Sequence, residues 1–62
     1  MKVAINSETL TVDYEGDVKG LLKLLKVHRE TVVAAKNGKI VPETEKVGKD
    51  DEVEIIRIIF GG

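Results

Sequence analysis

A chain of 62 residues, 42% hydrophobic and without a single cysteine, makes one small domain with no room for a second core. A domain near this size buries only about 60% of its unfolded surface, so Val, Ile and Leu must supply the core unaided by disulfides or a Cys/His metal site. A formal net charge of −1 and two aromatic residues, Tyr14 and Phe60, exclude the basic footprint and the stacking platform that nucleic-acid binding needs. The apolar stretch at Met1 to Asn6 is too short for a signal peptide and nothing reaches membrane-spanning length. The expectation is a cytoplasmic monomer with no membrane or direct nucleic-acid partner.

Val3 to Ile5 is a short strand signal, and the polar Asn6-Ser7-Glu8 reads as a turn. Thr9 to Tyr14 alternates, with Leu10, Val12 and Tyr14 on one face, so the two strands form an antiparallel hairpin. Glu15-Gly16 breaks the second strand. Asp17 then serves as N-cap, its carboxylate placed for the first helical amides and the positive end of the dipole. Val18, Leu21, Leu22 and Leu25 follow at i, i+3, i+4 and i+7, an apolar helical stripe, with Lys19, Lys23 and Lys26 on the other side. Lys26 also suits the negative end. Gly20 costs the helix up to about 1 kcal/mol against Ala, and its presence reads as close packing on the sheet.

After a polar linker at His28-Arg29-Glu30, Thr31 to Ala35 favours a strand. Asn37-Gly38 is the strongest short hairpin signal, because a type I′ turn needs positive φ at both central residues. Ile40-Val41 returns and Pro42 stops the strand, since Pro cannot donate to a ladder. Thr44 to Val47 is weakly patterned and Gly48 to Asp51 reads as a turn. Val53 to Phe60 is the last and strongest strand. The order β-β-α-β-β-β, with one helix to cover one face of a mixed sheet, predicts an α+β roll of the β-grasp type. Residues 1–60 form the domain and 61–62 a flexible diglycine tail, and the first and last strands compete for the centre of the sheet.

Alternation divides the last strand into Val53, Ile55, Arg57 and Ile59 on one face and Glu54, Ile56, Ile58 and Phe60 on the other. Val53 and Ile55 are the expected core. Ile56, Ile58 and Phe60 are then left as contiguous apolar residues on the face without a helix, which favours a docking surface leading into the tail over edge burial or dimer packing. Arg57 is a candidate for a polar contact with the same partner near the tail, the alternative being a solvated side chain. Gly61 and Gly62 carry no Cβ, so the backbone there is thin enough to thread a narrow channel and present a carboxylate. The domain itself offers no chemistry. One His and no Cys leave no nucleophile–base pair, and His28 falls in a solvated loop. Asp50, Asp51, Glu52 and Glu54 lack the spacing of a calcium loop and read as a turn with a solvated strand face, or an acidic docking patch.

Val18-x-x-Leu21-Leu22, Asn37-Gly38-Lys39-Ile40-Val41-Pro42, Asp51-Glu52-Val53-Glu54-Ile55-Ile56 and Gly61-Gly62 fall in the order found in the ubiquitin-like sulfur carriers. By these residues the chain resembles the ThiS/MoaD family, with the small archaeal ubiquitin-like modifiers as the nearest group. Two positions depart from the family's pattern. Asp50 stands where the family often has Gly, and Asp tolerates the left-handed region. Lys36 replaces an apolar residue before Asn-Gly, and its stem is expected along apolar surface with the ammonium in water. The resemblance implies that a ubiquitin-activating-type adenylyltransferase activates the Gly62 carboxylate with ATP. It also implies that a thiocarboxylate, or an isopeptide to a target-protein lysine, follows. Such a carrier is not an enzyme and binds no cofactor itself. Transfer RNA thiolation and protein conjugation are the expected recipients, with thiamine or molybdopterin synthesis as further possibilities. The competing reading is a β-grasp interaction module that is never activated.

Overall fold

The computed structural model describes residues 1–58. The chain runs through β1 (Lys2–Ile5), β2 (Glu8–Thr11), β3 (Gly16–Asp17), α1 (Val18–Leu24), a 3-10 turn (Arg29–Thr31), β4 (Val32–Lys36), β5 (Lys39–Val41), β6 (Lys46–Val47) and β7 (Glu52–Arg57). Five strands make one mixed sheet in the order β2-β1-β7-β4-β5, and β3 and β6 form a separate two-residue ladder. With α1 across one face this is the β-grasp roll, and β7 takes the centre. It runs parallel to β1 and antiparallel to β4.

Both hairpins are set by two-residue turns. Asn6 (φ 52°) and Ser7 (φ 66°) are both left-handed, as are Asn37 (φ 51°) and Gly38 (φ 89°). Positive φ at both centres gives the I′ twist that matches the strands. Glu8 is therefore the first residue of the return strand, paired with Ile5, and not the third residue of the turn. The second strand also stops at Thr11, short of the expected Tyr14. Val12 still exchanges hydrogen bonds with Met1 (2.9 and 3.2 Å), after which the chain turns under the helix. Val12 and Tyr14 pack against the core there, while Leu10 on the edge strand stays 38% exposed.

The helix is held at both ends. Asp17 caps it through its carboxylate, which accepts from the Gly20 amide at 2.8 Å. The Val18 and Lys19 amides donate to the Glu45 and Glu43 carbonyls, both at 2.9 Å, so three of the first amides are satisfied. At the other end Leu25 is the C-cap and Lys26 (φ 59°) lies beyond the last turn, not within it. The Lys26 amide reaches the Lys23 carbonyl and the Val27 amide that of Leu22, a Schellman closure with Lys where Gly is usual. Val18, Leu21 and Leu22 bury the helical stripe against Val3, Val32, Ala34, Val53 and Ile55.

Gly20 is packed closely, but against Tyr14 and not against the sheet. A Cβ built on Gly20 would collide with the Tyr14 hydroxyl and come within 3.3 Å of Cζ. The same hydroxyl donates to the Asp17 carbonyl at 2.8 Å, which fixes the ring over the start of the helix.

Of the two departures from the family's pattern, neither disturbs the backbone. Asp50 is not among the residues with positive φ, so its position makes no demand for Gly. Lys36 donates to a Glu45 carboxylate oxygen at 3.1 Å and to the Lys46 carbonyl at 2.9 Å. Its ammonium is therefore pinned to the strand β6 region, against the expectation of a freely solvated group.

Asp51 ties the turn before β7 to the second hairpin. One carboxylate oxygen accepts from the Gly48 amide at 2.7 Å and the other from the Asn37 side-chain amide at 3.1 Å, while Asn37 accepts from the Glu52 amide at 2.9 Å. The Gly48 amide first, and then Asn37, hold the Asp51 carboxyl below its ordinary 3.8. A carboxyl whose pKa is lowered on folding contributes stability above its unfolded pKa, and that contribution fades as pH falls through the folded value. Wild type should thus lose an increment of melting temperature on acidification below about pH 4. Asp51→Asn should melt lower than wild type at pH 7 and the gap should close in acid. A gap constant from pH 7 to 2 would remove this assignment.

Candidate functional site

The expected docking and tail residues are distributed by the position of β7. Because β7 is central, its two faces see different surroundings. Val53 and Ile55 lie buried beneath α1, as expected. Glu54 and Ile56 face the other way, where no helix covers the sheet. Register places Ala4 and Ala35 on either side of Glu54, and Val33 opposite Ile56. Ile40, paired with Ala35, extends this face and is 63% exposed. Ile56 is half-buried among these neighbours.

The strand is shorter than expected. It ends at Arg57, which is exposed, and Ile58 lies past the ladder with its amide donating to the Thr31 carbonyl at 2.8 Å. Ile58 is half-buried and lines a groove with Leu25, Val27 and Arg57 between the end of the helix and the end of the sheet. Ile59, Phe60, Gly61 and Gly62 lie outside the described residues. Ile56 thus lies on the open face as expected, whereas Ile58, expected beside it, leaves the ladder and joins Arg57 at the end of the sheet because the strand stops at Arg57.

Two sets of residues escaped the sequence reading. Val33 and Ile40 complete the open apolar face, and strand alternation from the Asn37-Gly38 turn was the signal that could have found them. Lys26 joins the groove because the Schellman closure turns the chain there, and no residue type signals that. His28 is exposed, as expected for its loop. Of the acidic group, the Asp51 carboxylate is engaged by Gly48 and Asn37, and no cluster of three potential ligands forms among the described residues. No helix among them is long and apolar enough to cross a membrane.

A five-stranded mixed sheet gripping one helix, with one face of its central strand left uncovered, defines a protein of the β-grasp class. The ThiS family model matches residues 1–62, and the chain belongs to the ThiS family of sulfur carriers. It is similar to the thiamine biosynthesis protein ThiS of Geobacter metallireducens, with 30% identity and a TM-score of 0.70 over 100% of both chains. No protein in a search of curated sequences matches the chain. As a carrier of this kind the protein is a substrate for its partner enzymes and not a catalyst.

Proposed function

We propose that the Gly62 carboxylate is the working group and that Gly61 delivers it. A carboxylate is a poor acyl donor because its oxygen is a poor leaving group. With ATP, an activating enzyme lets that oxygen attack the α-phosphorus, releasing pyrophosphate and leaving an acyl-adenylate. A sulfur nucleophile then displaces AMP, and the carbonyl keeps one oxygen and gains sulfur as a thiocarboxylate. Neither step asks for a side chain of the carrier. Both ask for an unhindered α-carbon, which Gly provides.

The observation that carries this reading is the match of the whole chain, diglycine included, to a sulfur-carrier family. For the recipient we favour a thiazole-forming enzyme of thiamine synthesis, since the similar Geobacter protein is described as serving that pathway. Transfer RNA thiolation, molybdopterin synthesis and lysine conjugation share the activation step and differ only in the acceptor. The open face around Ile56 is the surface we assign to partner docking, with Ile58, Arg57 and Phe60 as further contacts of the same partner.

The experiment is direct. Incubation with the adenylating enzyme of the same genome, ATP and a sulfur donor should yield intact protein in which sulfur replaces one oxygen, located at Gly62 by fragment mass spectrometry. Intact mass unchanged in every such reaction would remove the proposal.

A further inference from the structure

Gly62 stands four positions after Ile58, a span of at most about 14 Å even when fully extended. An enzyme that takes the Gly62 carboxylate must therefore rest its surface on the end of the domain where the chain leaves β7. That end carries the groove lined by Leu25, Val27 and Ile58, and Lys26, His28 and Arg57 stand along it. Among the described residues no acidic side chain lines it, although the whole chain has 11 acidic residues against 10 Lys and Arg. The imbalance is local.

Of the ten Lys and Arg, Arg29 and Lys36 alone make salt bridges among the described residues, and what sets Lys26 and Arg57 apart from the other six is their place on this groove. Arg29 and Lys36 are paired with Glu43 and Glu45. Among the described residues, neither Lys26 nor Arg57 makes a salt bridge. Lys26 also occupies the left-handed position after the helix, where Gly is the cheap occupant and a side chain is strained. A charged residue thus stands on the groove against the local backbone preference.

We infer that this groove docks an acidic segment of the activating enzyme, at the mouth of the channel that receives the tail. Apolar side chains of that segment rest on Leu25, Val27 and Ile58, and its carboxylates meet Lys26 and Arg57, with His28 as a third polar contact. A phosphate or nucleotide is a poorer fit. Anion sites of that kind use converging backbone amides, whereas here cations are spread beside an apolar floor. The inference rests on the reading of Gly62 as the activated carboxylate.

The test is pyrophosphate exchange by the adenylating enzyme of the same genome, with the full chain as the varied substrate. Charges at the rim of an interface act mainly on encounter and weaken with salt. Lys26→Glu with Arg57→Glu should lower kcat/KM about tenfold or more at low ionic strength, through KM with kcat unchanged, and the gap should shrink as salt rises. Lys26→Gly with Arg57→Gln removes the charges while relieving the left-handed backbone, and should show a smaller loss of the same kind. Unchanged kcat/KM in both folded variants, a loss indifferent to salt, or a change in the KM for ATP instead of the carrier would each overturn the docking assignment alone. Absence of exchange with the wild-type chain would remove the functional reading, and the docking assignment with it.

Discussion

Deletion of Gly61 and Gly62 is expected to abolish adenylation and sulfur loading while leaving the melting curve unchanged. The reason is spatial separation of the fold from the chemistry. The buried core ends with Ile55, and the last hydrogen bond described is that from the Ile58 amide to Thr31. Nothing in either depends on the two glycines. The proposed chemistry depends on them entirely, because the truncated chain ends in Phe60, whose α-carbon carries a side chain and whose carboxylate stops two residues short. Circular dichroism and calorimetry should therefore overlay for the two chains, while pyrophosphate exchange falls to background. The truncated protein should still compete with the full chain for the activating enzyme through the open face and the groove. An interaction module would behave differently, keeping its full cellular role without the tail. A truncated chain that complements a deletion strain would sink the carrier reading.

Gly20→Ala is expected to destabilise the domain even though Ala is the better helix former. Propensity alone would stabilise the helix by about 1 kcal/mol. Against this, the new Cβ takes the space held by the Tyr14 hydroxyl, whose oxygen is bonded to the Asp17 carbonyl. Either the ring swings out or the helix lifts. Losing the hydrogen bond costs about 1 kcal/mol, and forcing an extra methyl into a packed site costs typically 1–3 kcal/mol. The balance is a loss of about 1–3 kcal/mol, which in a domain this small lowers the melting temperature by roughly 5–20 °C. Tyr14→Phe removes the colliding atom, so Gly20→Ala should cost less in that background, a coupling that a double-mutant cycle reads directly. A stabilised Gly20→Ala single variant would show that Tyr14 does not fix this packing.

Local signals carried most of the architecture. The Asn37-Gly38 turn, the Asp17 cap and the Val18-Leu21-Leu22 stripe each depend on neighbours in sequence, and each appears where the residues place it. The β3–β6 ladder was not legible. Two residues a side show no period, and Gly16-Asp17 reads as a break and a cap until Lys46 and Val47 are brought alongside. The ends of β2 and β7 were overrun because alternation continues in the sequence after the partner strand has gone. Lys26 in the left-handed region and Tyr14 over Gly20 are tertiary facts, set by how the helix meets the chain around it. The groove could not be read from the chain, since Arg57 is distant in sequence from Leu25 and Lys26.

The central place of β7 has a consequence for when the protein can be used. The β1–β2 hairpin and the β4–β5 hairpin touch the sheet's midline only through Glu52–Arg57, the last strand to be made. On the ribosome the two hairpins and the helix are complete before the strand that joins them exists, so the sheet closes only after residue 57 has emerged. Pairings this far apart in sequence also close slowly. A chain that terminates before Glu52 therefore lacks the strand that joins the two hairpins and cannot form the folded surface.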